Sequence, residues 1–264
     1  MNPDNIWITF PELLIWFPLV AGLVTFFVKT ERTAKAWSLF ASIITLVISL
    51  ASLYYSSDKY HFLNNVGYFW LKYLGSSFAV GMDGMGRILT LLTAISFPLI
   101  FTATYKTSYK NSSVFYGLML LAQSGLMGVF VASDALVFYF FWELALIPVY
   151  FLCSTWGGEK RIPATFKFFV YTFAGSLLML IGIIFVYLHT SPVYDNAGVL
   201  TCDHSFSFRA FQAVQLLPKE QNLFFLIFFI AFAIKMPVFP FQTWQPNTYE
   251  QSPTPVTMVL SGIM

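Results

Sequence analysis

The sequence has very little charge. Of its 264 residues, 10% are charged and 58% are apolar, whereas a soluble domain carries about 25% charged residues. Because so few polar side chains cannot cover a water-soluble globule, the apolar surface is expected to face lipid. A net charge of +2 and the lack of a basic cluster argue against binding to nucleic acid.

Cysteine and histidine are also scarce. Cys153 and Cys202 are too few for a disulfide framework or a four-cysteine iron–sulfur cluster. The scattered His61, His189 and His204 predict no metal site. The sequence has no phosphate-binding loop, flavin or nicotinamide fingerprint, or paired nucleophile and base. The start, "MNPDNIWITF", lacks the basic region of a cleaved signal peptide, so the first apolar run is expected to remain as a membrane helix.

Long apolar runs predict an all-α, polytopic bundle of transmembrane helices. A helix needs about 20 apolar residues to cross a membrane, and runs that do not alternate favour helices over strands. The predicted spans are 6–28, 35–56, 86–105, 112–132, 134–153, 164–189, 221–236 and 253–264. Two connectors, 57–83 and 190–220, are long. Since no linker divides the chain, residues 1–264 are expected to form a single membrane domain.

Basic residues are distributed unequally between the connectors. If the N-terminus lies on side A, the side-B connectors 29–35, 106–111 and 154–163 hold seven Lys or Arg residues. The longer side-A connectors hold four. The positive-inside rule then predicts that side B is cytoplasmic and that the N-terminus lies outside.

Residues 138–153, "FYFFWELALIPVYFLC", contain a lone carboxylate, Glu143. It lies about nine residues after Asp134, at the side-A start of its helix, and so roughly 13 Å deep. A charge at that depth is costly, and ionisable groups inside membranes usually mark proton or ion pathways. The alternative is a protonated Glu143 that only packs between helices.

Lys235 is a second lone charge, in "LFFLIFFIAFAIKMPVFPFQTWQP". It lies about 20 Å along its helix, close to the predicted depth of Glu143. Opposite charges at one depth can pair across helices, which makes their burial tolerable. Snorkelling of Lys235 toward an interface is the alternative.

Three prolines follow this lysine: Pro237, Pro240 and Pro246. Each removes a backbone donor and obstructs the preceding turn, so the seventh helix is predicted to break just after Lys235. Broken helices at membrane depth are typical of ion sites in transporters. A simple proline kink would explain one proline but not three.

Other charges near the spans are weighed in the same way. Lys167 is alone in "TFKFFVYTFAGSLLMLIGIIFVYLH" but lies near side B, so function and snorkelling are both open. Asp83 and Arg87 are predicted to form an interfacial pair at a helix entry.

In general, burial and a nearby opposite charge shift the pKa of a buried group in opposing directions. A buried Glu–Lys pair is therefore suited to change its proton occupancy when a small movement occurs, and lysine suits a relay better than arginine.

Three stretches carry a family resemblance: "FWELALIPVYFL", "RIPATFKFFVYTFAGSLLMLIGI" and "AFAIKMPVFPFQTWQPNTYEQSPTPVTMVLSGIM". They resemble the antiporter-like membrane subunits of respiratory complex I (NADH–quinone oxidoreductase), in particular the subunit M group to which mitochondrial subunit 4 is related. The resemblance covers most of residues 80–264, with the segments in the same order.

The resemblance implies that Glu143 is the key glutamate of the fifth helix and Lys235 the central lysine of a broken seventh helix. It implies proton translocation driven by quinone reduction elsewhere in the complex, with Lys167 as the candidate link between the two. NADH, FMN, iron–sulfur clusters and quinone are expected in partner subunits and none in this chain. Expected partners are neighbouring antiporter-like and other membrane subunits, the lipid of an energy-transducing membrane such as the bacterial inner membrane, and protons.

The family has about fourteen helices, and the eighth predicted span is still running at Met264. The sequence is therefore expected to be the N-terminal part of a longer protein, with the family's next lysine and terminal carboxylate beyond it.

The chain also departs from the family pattern. Many members have "HGWLPDAHSQAP" where this chain has "QTWQPNTYEQSP", so that Gln242 and Tyr249 replace histidines and Asn247 replaces an aspartate. Gln and Tyr do not titrate near neutral pH, which argues against a histidine relay at the break.

Two other functions are compatible with these residues. A cation/proton antiporter subunit of the Mrp type, or a membrane-bound hydrogenase subunit, would share the Glu and the Lys, although "WELALIPVYFL" favours complex I. A non-conducting scaffold subunit would use the buried charges only for packing.

Overall fold

The computed structural model describes residues 9–54, 63–194 and 200–264. Long helices occupy the predicted spans. They are α1 (Phe10–Thr25), α2 (Glu31–Tyr54), α3 (Gly84–Ala103), α4 (Ser112–Val131), α5 (Ala135–Trp156), α6 (Arg161–Leu188) and α8 (Pro218–Lys235). The shorter helices are α7 (Phe208–Ala213), α9 (Gln245–Gln251) and α10 (Thr254–Gly262).

The described helix ends lie within four residues of the ends of the predicted spans. Helix α2 begins at Glu31 instead of 35, because the polar first turn lacks the apolar signal used to find it. Residues 6–8 and 55–56 of the predicted spans lie outside the described residues. So do His61 and Lys59.

Large apolar side chains on these helices point outward. Five helices, α2 to α6, are long and apolar enough to cross a membrane. Val47 is 58% exposed, Leu99 63% and Phe166 62%, and in water such surface would drive aggregation. The chain is therefore an integral membrane protein whose outer surface faces lipid.

Polar residues fix where several helices begin. The Asp83 side chain accepts a hydrogen bond from Gly86 N at 2.6 Å and caps α3. At α1, Glu12 accepts from Thr9 N at 2.8 Å in a capping box. Such caps satisfy backbone donors that a first turn leaves free, so α1 and α3 start at the edge of the apolar layer.

Helix α4 is the central element, and small residues let its neighbours approach closely. A Cβ added to Gly117 would lie 3.1 Å from Gly22 O of α1, and one added to Gly125 would lie 2.8 Å from the backbone of Ala145 on α5. Close backbone approach of this kind is how helices associate in lipid. Thus α4 holds α1 against one face and α5 against another.

The long side-A connectors contain strands, which the sequence did not predict. Strand β1 (Leu63–Leu71) pairs antiparallel with β2 (Ser76–Met82) across a turn that ends at Gly75, whose φ is +63°. A smaller pair joins β3 (Val193–Tyr194) to β4 (Leu200–Cys202). Phe206 N donates to Gly75 O at 3.2 Å, so the two connectors pack together on side A.

The side-B connectors also contact one another. Trp156 Nε1 donates to Lys110 O at 2.6 Å, and Ser108 Oγ donates to Glu31 Oε2 at 2.8 Å. Lys35 Nζ forms an ion pair with Glu31 Oε1 at 2.6 Å. The basic connectors predicted to share one side of the membrane therefore meet at one end of the bundle.

Candidate functional site

Asp134 sets the position of Glu143 along α5. Its carboxylate accepts hydrogen bonds from Leu136 N at 3.0 Å and Val137 N at 3.2 Å, and from the Ser76 hydroxyl of β2 at 3.0 Å. Asp134 is fully buried, and burial raises the pKa of its carboxyl, while these hydrogen bonds oppose the increase. Since α5 begins directly after this cap, Glu143 lies near the middle of its 22 residues.

One oxygen of the Glu143 carboxyl has no hydrogen-bond partner among the residues that the structure describes. This oxygen, Oε1, is buried, and the residue borders a cavity of about 370 Å³. The other lining residues are Trp70, Leu71, Leu136, Tyr139, Phe140, Leu144 and Ile147. The Glu143 side chain therefore borders a cavity with mainly apolar walls.

Lys235 is the last residue of α8 and lies beside Trp142, the residue that directly precedes Glu143. Its Nζ is 5.2 Å from the centroid of the Trp142 ring, which is within range of a cation–π contact. The Trp142 ring also meets Phe232 edge-on at 5.9 Å. Trp142 therefore connects α5 to the charged end of α8.

Glu143 and Lys235 do not touch. No hydrogen bond and no salt bridge within 4.0 Å joins these two described side chains, yet Lys235 lies within Coulombic range of Glu143. The direct pairing expected from their similar depths is replaced by a cation–π contact to Trp142 and a through-space attraction. Depth along a helix does not determine the direction in which a side chain points.

The helix break after Lys235 is present, and its freed carbonyls find other donors. Pro237 supplies no N–H, and Val238 N donates to Ala233 O at 2.9 Å. The Trp244 indole N–H donates to Ile234 O at 2.9 Å, and Trp244 is 3% exposed. Each bond satisfies backbone that a continuous helix would have paired, as a break at membrane depth requires.

The three prolines have different positions in this break. Pro237 and Pro240 lie between α8 and the 3₁₀ turn Phe241–Trp244, whereas Pro246 lies in the first turn of α9. A proline there costs no helical hydrogen bond and favours helix initiation. Pro246 therefore begins the next helix instead of extending the break.

Lys167 is tied to the break and not to Glu143. Its Nζ donates to Thr243 O at 2.6 Å, and the Thr243 hydroxyl donates to the Tyr171 hydroxyl at 3.0 Å. Lys167 Nζ also lies 6.0 Å from the Tyr171 ring centroid. These contacts join α6 to the 3₁₀ turn, so Lys167 stabilises the position of the broken segment.

Two further side chains belong to the site although sequence reasoning did not select them. Trp142 precedes Glu143 directly, and Tyr139 lies one helical turn before it. The Tyr139 phenol is within hydrogen-bonding reach of Ser176 on α6 and lies within Coulombic range of Glu143. For Tyr139 the signal available in the sequence was its spacing from Glu143, because residues four apart are neighbours on one helix face. Trp142, directly before Glu143, gave no such signal.

The residues that depart from the family pattern also have defined surroundings. Tyr249 OH donates to Leu260 O of α10 at 3.2 Å, while Gln242 Oε1 is buried and has no partner in the described part of the chain. Tyr249 therefore has a structural contact. Within the part of the chain that the structure describes, no three His, Cys, Asp or Glu side chains are grouped to bind a metal; the absence of a metal or cofactor from this chain stays a prediction.

Comparison with known proteins identifies the family. Residues 132–264 match the transmembrane family described as NADH:quinone oxidoreductase/Mrp antiporter. The chain belongs to this family. The matched region begins just before Asp134 and contains Glu143, Lys167, Lys235 and the helix break.

Similar proteins extend the family relationship over nearly the whole chain. F(420)H(2) dehydrogenase subunit M of Methanosarcina mazei is 39% identical over 92% of this chain and 48% of its own length. NAD(P)H-quinone oxidoreductase chain 4 3 of Trichormus variabilis is 34% identical over 97% of this chain and 47% of its own length. The chain thus spans about half the length of the curated relatives it matches.

Solved structures show the same architecture. A chain of respiratory complex I from Thermus thermophilus with bound NADH superposes with a TM-score of 0.77 at 26% identity, over 94% of this chain and 49% of that one. A chain of the Mrp complex from Dietzia sp. DQ12-45-1b superposes with a TM-score of 0.75 at 18% identity, over 96% of this chain and 26% of that one. The second likeness shows a shared fold.

Proposed function

We propose that this chain carries protons across an energy-transducing membrane as part of a quinone-reducing respiratory complex. The observation that carries the proposal is the arrangement of Glu143, Trp142 and Lys235. Lys235 lies at a helix break, contacts the Trp142 ring and is within Coulombic range of Glu143, and no ion pair joins these two described side chains.

The geometry supports a relay that works by electrostatics. A negative charge on Glu143 favours a proton on Lys235, because opposite charges attract. When a proton neutralises Glu143, that attraction is lost and Lys235 releases its proton more readily. Since no direct salt bridge joins the two groups, a change at Glu143 needs no contact to be broken first.

Lys167 is proposed to act as a positioning residue in this relay. It holds the Thr243 carbonyl at 2.6 Å and so fixes the 3₁₀ turn that follows Lys235. A shift of the broken segment would move Lys235 relative to Glu143, which is how this contact supports coupling to events elsewhere in the complex.

The redox chemistry is assigned to partner subunits. Relatives are named for F420H2 dehydrogenase and for NAD(P)H–quinone oxidoreductase, so the electron donor differs between complexes that share this kind of chain. NADH, FMN, iron–sulfur clusters and quinone would bind to partners, and this chain would contact neighbouring membrane subunits. Its basic side B would face the cytoplasm and its N-terminus the outside.

Glu143→Gln tests the function in the complete complex reconstituted in vesicles. The amide keeps the shape but cannot exchange a proton, so coupled proton uptake should fall by more than about tenfold, in line with the loss of an acid–base group. Glu159→Gln is the matched control, because Glu159 is exposed on the side-B connector; it should pump normally.

Two outcomes would contradict the proposal. Normal pumping by Glu143→Gln would remove the carboxylate from the proton path. Loss of assembly, with normal transport by each complex that does assemble, would instead favour the scaffold function.

The second candidate function is cation/proton antiport, because the family description includes Mrp antiporters. The same vesicles distinguish the two functions. Antiport would require Na⁺ or another cation on the opposite side and would proceed without quinone reduction, whereas pumping by the respiratory complex would depend on quinone reduction.

A further inference from the structure

A second group of buried polar residues lies on α2, α3 and α4, outside the site at Glu143. Helix α2 buries one face made of small hydroxyl residues, each 0–1% exposed. They are Ser38, Ser42, Thr45 and Ser49. Helix α3 adds Thr90 and Thr93, both 0% exposed. The Ser38 and Ser49 hydroxyls have no protein hydrogen-bond partner among the described residues.

Gln123 of α4 is the most unusual member of this region. It is 0% exposed, and neither its Nε2 nor its Oε1 has a partner in the described part of the protein. A buried amide that forms no hydrogen bond is strongly unfavourable. An unpartnered side chain in a protein interior therefore requires an explanation.

The neighbours of Gln123 on its own helix show where it points. Met119 and Met127, one turn to either side, share its face of α4. Both methionines are buried, in clusters that hold Phe97 and Ala94 of α3 and also residues of α5. Gly125 lies against Ala145 of α5, and two residues along a helix turn by about 200°, so Gln123 points away from that contact. Helices α2 and α3 also contact α4.

The three polar elements also lie at one depth. Gln123 lies about eleven residues after the side-B start of α4, and Ser42 lies about eleven residues after the side-B start of α2. Thr93 lies about ten residues before the side-B end of α3. At 1.5 Å per residue, all three are roughly 16 Å from side B. The Gln123 amide is therefore level with two buried hydroxyls on the neighbouring helices.

These hydroxyls leave acceptor capacity free. Ser42 Oγ donates to Leu39 O at 2.8 Å, and Thr93 Oγ1 donates to Leu89 O at 2.9 Å. Each donor is thus used within its own helix, while the oxygen can still accept. An amide with two donors and one acceptor oxygen can be linked to such oxygens by a bridging molecule that both donates and accepts.

We propose that α2, α3 and α4 enclose an internal water site centred on the Gln123 amide. Water is the ligand with the required chemistry, because it is small, neutral, and able to bond two to four buried polar groups at once. The Ser42 and Thr93 hydroxyl oxygens are its other partners, and the Ser38 and Ser49 hydroxyls extend the polar face along α2. This site is separate from Glu143 and does not depend on the proposed transport function.

The test is a cryo-electron microscopy map of the complete complex at a resolution that shows ordered water. In the wild type, at least one water is expected within hydrogen-bonding distance of the Gln123 amide. Gln123→Leu, which keeps the volume but removes the polar atoms, should abolish that density. Ser124→Ala is the matched control: Ser124 Oγ donates to Ile15 O at 2.8 Å, so the density at Gln123 should persist.

Two results would overturn the proposal. One is a wild-type map in which the Gln123 amide bonds directly to protein groups with no water beside it. The other is density that remains unchanged in Gln123→Leu. If the Gln123→Leu complex does not assemble, the wild-type map alone decides.

Discussion

Lys235 has two neighbours that act on its charge in different ways. The Trp142 ring face contacts the ammonium at 5.2 Å, and the Glu143 carboxylate attracts it from further away. A cation–π contact stabilises any cation in that place, but only lysine can also lose its proton there. Arginine remains charged in proteins.

Lys235→Arg separates charge from protonation. The variant should assemble, because the cation over Trp142 is retained, but proton transport should fall by about tenfold or more since the guanidinium cannot release a proton. Proton uptake and quinone reduction measured on the same vesicles check this. Lys160→Arg, on the exposed side-B connector, should behave as the wild type. Normal pumping by Lys235→Arg would show that Lys235 supplies only a fixed positive charge.

At this scale, the sequence offered candidate site residues but not the contacts between them. The isolation of Glu143 and Lys235 in apolar runs made both candidates, and the rise per residue placed them at similar depths. The insertion of Trp142 between α5 and α8 was not predictable, because it depends on the rotation of each helix about its axis and on side-chain rotamers. The bond from Lys167 to Thr243 likewise depends on the path of the chain after the break.

The end of α8, where the helix breaks, depends on hydrogen-bond donors that lie outside this helix. The Trp244 indole bond to Ile234 O is buried, so its removal leaves a carbonyl unsatisfied. Trp244→Phe keeps the aromatic packing and should lower the stability of the folded protein by about 1–3 kcal/mol. A lower midpoint of thermal unfolding of the purified complex would be the measured result.

Trp156→Phe provides the comparison for this prediction. The Trp156 indole also donates to a backbone carbonyl, that of Lys110, but at a solvent-accessible position. Water can replace that bond, so the loss of stability should be smaller. Equal or greater destabilisation by Trp156→Phe would show that the buried indole bond at the break contributes no more to stability than an exposed one.

Helices were predictable because their apolar runs are long, whereas strands were not, because their apolar stretches are short. Continuous apolar runs gave every long helix, whereas β1 and β2 were read as part of a connector. The stretch "LNNVGYFWL" does not alternate polar and apolar residues, and its pairing with "SSFAVGM" arises from the turn at Gly75, whose positive φ is typical of glycine. A glycine between two short apolar stretches was the signal available.

The molecule as a whole has a basic end and an end that carries the hairpins. This asymmetry predicts the orientation in the membrane, which single cysteines can test in a background with Cys153→Ser and Cys202→Ser. Asp203→Cys, exposed beside β4, should react with a membrane-impermeant maleimide in intact cells. Glu159→Cys, exposed on side B, should react only after the cells are permeabilised. The reverse pattern would invert the predicted topology.

The hairpin of β1 and β2 also reaches the wall of the cavity beside Glu143. Trp70 and Leu71 line that cavity, and the Trp70 ring meets Phe140 edge-on at 5.9 Å. A substitution in the hairpin can therefore change the surroundings of the half-buried Glu143. When homologous chains diverge in the hairpin, compensating substitutions should appear on the α5 face that carries the glutamate, and inhibitors shaped to that recess should discriminate between lineages.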